Sequence, residues 1–275
     1  MPPTSYPPYE ITPGILHQVE SIGELLGSAA LKDLSASQPR LRRKHQIRTI
    51  QASLEIEGNT LSLEQVTAVI EGKRVLGDPA EIQEVRNALL AYQSMEDWVP
   101  SRKIHLLKAH RLLMTGLVDR PGSYRRGSVG IQRGKQIVHV APPAERVPGL
   151  MVELLKWVRV KKEHPLISSA VFHYELEFIH PFQDGNGRLG RLWQTLILSQ
   201  WKPVFAFLPI ETVVRDRQSD YYKALGQADK SGASTVFVEF MLHVYQSAIQ
   251  EFSRLFRSSK LIAGVSQPSP ISPLT

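Results

Sequence analysis

The chain has no cysteine in its 275 residues. Disulfides and thiolate metal ligands are therefore excluded, and the composition agrees with a reducing, cytoplasmic setting. Long apolar runs are also missing. The most apolar stretch, LWQTLILSQWKPVFAFLPI, is broken by Gln194, Ser199, Lys202 and Pro203, so no segment reads as transmembrane and no membrane partner is expected. The opening MPPTSYPPYEITPG has neither a basic n-region nor an apolar h-region, and is not expected to act as a signal peptide. No internal repeat with a period of about 20–50 residues is present, which removes solenoids and propellers. Acidic residues are the scarcer charge, 26 against 33 Lys plus Arg, for a net charge of +7. That balance invites a phosphate or nucleic-acid partner. Yet the densest basic run, RLRRKHQIR at 40–48, has no interleaved aromatics or glycines. Its plain reading is a solvated helix face, and nucleic acid is not the expected partner.

What the chain does have is helical period. Its length suits one domain, or a large domain with a smaller partner. Residues 1–14 are rich in Pro and read as extended; 15–100 read as an N-terminal helical region, 101–257 as the core, and 258–275 as a disordered tail. Pro39 suits the first turn of a helix that runs through Ile47, Ile50 and Leu54 and stops at Gly58. LSLEQVTAVIEGK follows, with a Ser62–Gln65 capping box and a stop at Gly72. Further helices are expected at about 79–97, 101–117 and 145–162. From Pro165 to Ile179, one stripe carries Ile167, Val171, Tyr174 and Phe178, widened by Phe172, Leu176 and Ile179. A helix apolar over so much of its surface belongs in mid-core. Helices at 189–201, 218–229 and 235–257 complete the mainly α reading. SVGIQRGKQIVHV, 128–140, instead alternates around Gly134 and predicts a hairpin.

Two places carry chemistry. In SLEIEGNT, 53–60, Glu57 puts a carboxylate in the last turn of a helix, where the partial charge is already negative. Such placement is disfavoured by about 0.3–1 kcal/mol, so either that cost is tolerated or Glu57 has a cation to meet elsewhere. Ser53 lies one turn before it and faces the same way. The second place is HPFQDGNGRLGR, 180–191, between the two core helices. Pro181 and Gly185 break one helix, and Asn186, Gly187 and Arg188 start the next, so glycine-flanked amides form an anion site at a helix N-terminus. Arg188 and Arg191 crowd that positive end, which makes sense if a polyanion meets them. Asp184 suits either a cap or a divalent cation held between phosphates. His180 suits proton abstraction from a hydroxyl, the role an imidazole serves most often.

HPFQDGNGRLGR resembles the signature of the Fic family, H-x-F-x-[DE]-G-N-G-R-x-x-R, with every specified position filled. The likeness extends over about 40–245, including the PGSYRRGSV…APP region and RQSDYYKAL. It implies a Fic-type helical bundle with a short β-hairpin flap and a protein adenylyltransferase that moves AMP from ATP to a Ser, Thr or Tyr hydroxyl of a target protein. His180 would be the base and Asp184 the Mg²⁺ ligand, with Mn²⁺ as a substitute. ATP would be met by Gly185, Asn186, Gly187, Arg188, Leu189, Gly190 and Arg191, the last taking the γ-phosphate, and Tyr221 would contact the adenosine. Phe182 would anchor the loop in the core. Gln136, Ile137, Val138 and His139 would form the flap edge that docks an extended target by strand addition. Ser53-x-x-x-Glu57-Gly58 resembles the family's inhibitory motif [ST]-x-x-x-E-[GN], within a helix at about 40–58, and implies that Glu57 pairs with Arg191. The chain itself is an implied target, and relatives with an N-terminal inhibitory helix often form homodimers.

Departures and alternatives also follow. Asp229 stands where relatives often have Asn. Gly187 disfavours the Doc-like kinases, which carry Lys there, and Arg191 disfavours phosphocholine transfer. De-AMPylation at the same site, with Glu57 positioning a water, is the alternative activity. A DNA-binding regulator is the alternative from another class, but no winged-helix domain is expected after the core.

Overall fold

The structure, a computed structural model, describes residues 7–27, 39–128, 130–133, 136–160 and 162–265. Residues 7–12 have no regular structure, and Thr12 then accepts the Ile15 amide at 3.2 Å to start α1 (Pro13–Gly27). Helix α2 (Pro39–Ile56) ends where Gly58 takes φ 98°, a left-handed value that a side chain would resist. In α3 (Leu63–Ile70) the capping box is complete: Ser62 Oγ accepts from the Gln65 amide and Gln65 Oε1 from the Ser62 amide. Helix α4 (Pro79–Gln93) is capped by Asp78, and the expected extension toward 97 is a separate 3₁₀ turn, Met95–Asp97.

Helix α5 (Lys103–Met114) stops short of 117 because the chain turns at Gly116, with φ 77°. The hairpin lies where alternation placed it. Strand β1 (Gly130–Arg133) pairs antiparallel with β2 (Gln136–Val140), with an irregularity between Ile131 and Gln132. A 3₁₀ turn leads into α6 (Val147–Val160), followed by α7 (Pro165–Ile179) and α8 (Asn186–Trp201). The stretch 203–216, not assigned from periodicity, forms a 3₁₀ turn and the short helix α9 (Ile210–Asp216). Helix α10 (Gln218–Ser231) precedes α11 (Thr235–Val265). The last helix therefore continues past the tail boundary expected at 257, since no Gly or Pro intervenes before Gly264.

Helices α7 and α8 form the spine between two apolar clusters. Helix α7 gives Ile167, Val171 and Tyr174 to one cluster, beside Ile15, Phe237 and Met241, and gives Phe172, Leu176 and Ile179 to the other, beside Leu54, Val85 and Trp193. Both clusters draw on residues from either side of position 100. The N-terminal helices thus share the core rather than owning one. Among the described residues, no helix is long and apolar enough to cross a membrane.

Two histidines are built into this packing. His173 is fully buried, with Nδ1 at 2.7 Å from Gln194 Oε1 and Nε2 at 3.0 Å from the Tyr221 hydroxyl. His45 is buried edge-on against Phe252, 4.9 Å between centroids. Burial lowers His173 to about 3 and His45 to about 4, the latter helped by Arg48 and Lys44. The unfolded chain takes up both protons near pH 6.5, while the fold resists them. Stability is therefore full above about pH 6.5 and drains as pH falls toward 4, by roughly 1.4 kcal/mol per unit per histidine. Thermal melts should show a lower midpoint at pH 5 than at pH 7, because the protons withheld from the histidines outweigh the one taken up by Glu211, whose pKa burial raises to about 7; a midpoint unchanged over that interval would contradict neutral burial.

Candidate active site

The site is the turn between α7 and α8, built from a few local constraints. His180 is the C-cap of α7 and sits in the left-handed region, φ 48° and ψ 60°, the one non-glycine residue there among those described. Phe182, next but one, is completely buried and stacks on His110 with ring centroids 3.7 Å apart. Asn186 closes the turn with a reciprocal pair: its Nδ2 donates to the Phe182 carbonyl and its Oδ1 accepts the Phe182 amide, both at 3.0 Å. Gly185, at φ 82°, forms the N-cap of α8, and a Cβ there would strike Met114 Sδ.

His110 and Arg125 brace the turn from outside the motif. His110 is buried, accepts the Gly122 amide at Nδ1 (2.8 Å) and so donates from Nε2 to the Asp184 carbonyl at 2.9 Å. Burial lowers its pKa to about 4, which keeps that tautomer through neutral pH. Arg125 donates to the His180 carbonyl from Nε at 2.7 Å. Neither residue was singled out from the sequence, because a lone His or Arg far from the motif carries no periodic signal.

The two motif arginines are buried and both meet acids. Arg188 is 5% exposed; its Nη1 donates to Glu84 Oε1 at 2.6 Å and its Nη2 lies 3.3 Å from both Asp184 oxygens. Glu84, on α4, also accepts from Asn59 Nδ2 at 2.8 Å, which ties the residue after the Gly58 turn to the site. Glu84 was missed because it sits on a mixed polar helix face. Arg191 is 1% exposed, and its Nη2 donates to Glu57 Oε1 at 2.7 Å and to the Ser53 carbonyl at 2.9 Å, with Nε at 3.2 Å from Ser53 Oγ. Burial lowers the affinity of Arg191 for its proton, but Glu57, together with Tyr221 and Glu177, more than offsets it, and the net shift is upward.

Ser53, Glu57 and Arg191 thus meet as the sequence motif implied. The Glu57 carboxylate lies directly on Gly187: a Cβ added there would collide with Glu57 Oε1. A carboxylate therefore lies against Gly187 and Arg191 at the N-terminal turn of α8. Asp184, at the mouth of the same turn, accepts its neighbouring Gly185 amide at 2.6 Å and has a side chain 57% exposed. It offers one accessible carboxylate, the donor that Mg²⁺ takes together with phosphate oxygens.

Three residues expected at the nucleotide are packed in the core of this structure. Leu189 is fully buried and its amide is taken by the Gly185 carbonyl at 3.0 Å. Gly190 packs against His173, where a Cβ would sit 2.8 Å from Cδ2. Tyr221 is 1% exposed and holds His173 with its hydroxyl. The i, i+3, i+4 spacing that puts a tyrosine on a helix face cannot say whether that face is dry. Asp229 likewise accepts from Tyr174 Oη at 2.9 Å. The flap residues Gln136, Ile137, Val138 and His139 lie on β2, with Ile137 opposite Gln132 and His139 opposite Ile131; their side chains lie outside the described residues.

Comparison with known proteins points the same way. The Fic/DOC family model matches residues 98–198. The Protein adenylyltransferase Fic of Aedes aegypti is 28% identical over 257 residues, 88% of this chain and 48% of that protein. The chain thus spans about half the length of the curated relatives it matches. A solved Fic family protein from Desulfovibrio desulfuricans G20 is 58% identical, covers 96% of this chain and 78% of its own, and superposes with a TM-score of 0.85. Fic-1 from C. elegans, 22% identical, shares the fold with a TM-score of 0.71 over 89% of this chain and 73% of its own. On the filled signature, the mainly helical fold and this similarity, the chain belongs to the Fic family.

Proposed function

We propose that the chain is a protein adenylyltransferase, moving AMP from ATP to a hydroxyl side chain of a target protein, and that it is repressed at rest by Glu57. One observation carries this reading. A carboxylate of the chain itself lies against Gly187 and Arg191, at the helix N-terminus where a phosphate would bind. In the transfer, His180 takes the proton of the target hydroxyl, the freed oxygen attacks the α-phosphorus, and diphosphate leaves. The amides of Gly185, Asn186 and Gly187 cradle phosphate oxygens at the helix N-terminus, where the dipole favours negative charge. Arg188 and Arg191 neutralise charge on the leaving diphosphate. Asp184 would hold Mg²⁺, which would supply further positive charge against the phosphates. The β2 edge presents a strand to the target segment. While Glu57 holds Arg191, the γ-phosphate has no guanidinium to meet, and the α-phosphorus is not aligned for attack.

The direct test supplies a Glu57→Gly variant with α-labelled or γ-labelled ATP and Mg²⁺. Protein should be labelled from the α position only, and more strongly than in wild type. Label arriving only from the γ position would mean a kinase instead. In the same background, His180→Ala should lower transfer by roughly 10²–10⁴-fold while ATP binding is retained; transfer at the parent rate would remove His180 from its role.

Arg191→Ala in the Glu57→Gly background should weaken ATP binding by about 1.5–3 kcal/mol, roughly ten- to hundredfold, because one charge-assisted phosphate contact is lost. Calorimetric titration measures this, and an unchanged dissociation constant would mean that Arg191 does not reach the triphosphate.

A further inference from the structure

Arg125 stands outside the signature, yet its guanidinium is spent on backbone carbonyls at the catalytic turn. Nε donates to the His180 carbonyl at 2.7 Å, and Nη2 donates to the Ile179 carbonyl at 3.3 Å and to that of Pro142. Nη1 donates to the Gly127 carbonyl at 2.8 Å, and the Arg125 amide donates to the Pro181 carbonyl at 2.9 Å. The side chain is 7% exposed, and burial pulls its pKa downward, an effect that Glu145 partly opposes.

Two physical facts make this arrangement more than a packing detail. First, Ile179 and His180 close α7, where unsatisfied carbonyls and the negative end of the helix dipole favour a cation. Second, His180 holds a left-handed backbone that costs an L-residue about 1–2 kcal/mol and persists only when its surroundings over-determine it. Arg125 bonds the carbonyls on both sides of that strained Cα. The same guanidinium grips Pro142, two residues beyond the end of β2 at Val140.

We propose that Arg125 is a positioning residue, which locks the backbone of His180 and fixes its imidazole relative to the flap edge that presents the target hydroxyl. The proposal rests on the reading of His180 as the base. It assigns Arg125 an effect on chemistry rather than on nucleotide binding, because the phosphate nest is built from Gly185 to Gly187, Arg188 and Arg191. A lysine keeps the charge but cannot span carbonyls on three segments.

The test introduces Arg125→Lys and Arg125→Gln into the Glu57→Gly background, with three readouts: kcat for AMP transfer, ATP affinity by calorimetry, and amide hydrogen exchange over 179–186 and 136–142. The expected result is a kcat lower by about 10²-fold, as for a reacting group displaced by about 1 Å. ATP affinity should stay within about twofold, and exchange should accelerate in both segments together. Unchanged kcat, or ATP affinity falling in step with kcat, overturns the proposal. So does loss of the cooperative fold in both variants, which would make Arg125 a purely structural residue. If Glu57→Gly itself transfers no AMP, the functional reading fails separately. Coupled exchange in the two segments would then still support the lock, and unchanged exchange would reject it.

Discussion

Arg191 is a cation with 1% of its side chain exposed, and the rest of the site follows from its need for an anion. Leaving such a charge without its partner costs about 3–5 kcal/mol, so some negative group belongs beside it at all times. Glu57 fills that role here, at 2.7 Å. The nearby acid Glu211 is no rival. Burial pushes it up to about 7, and Tyr92 and Thr195 already donate to its Oε1. In the proposed function a γ-phosphate takes the same place, and a site filled by either of two anions would be a switch without moving parts of its own.

The scaffold holds that nest in place with little freedom. Helices α7 and α8 are buried on almost every face, so the turn between them cannot drift. Phe182 is sunk in the core, Asn186 staples the turn, and His110 and Arg125 pin the carbonyls of Asp184 and His180. Helix α2 reaches the site by its C-terminus, where Gln218 and Tyr222 donate to the Ile56 carbonyl at 2.9 and 3.4 Å. Those bonds satisfy a carbonyl beside the Glu57 carboxylate and temper the cost of an acid at that end.

Much of this was legible in the sequence, for reasons of period and local chemistry. The apolar stripe of α7, the Ser62 capping box and the hairpin alternation are short-range signals, and each element stands where it was read. A misplaced charge at a helix end asks for a partner, and it was the likeness to the inhibitory motif that pointed to Arg191 as the partner of Glu57. What escaped depends on long-range packing. Glu84 and Arg188 are 104 positions apart, and Arg125 meets His180 across 55. Tyr221 came from the family likeness, and only the neighbouring Phe237 and Phe240 reveal that its helix face is dry in this structure.

Competition between Glu57 and the third phosphate for Arg191 is the central claim, and paired calorimetry of ATP and ADP tests it most directly. In Glu57→Gln, which keeps the shape and removes the charge, ATP should bind about tenfold or more tightly than in wild type, while ADP, lacking the γ-phosphate, should change much less. Equal gains for both nucleotides, or none for ATP, would contradict the account.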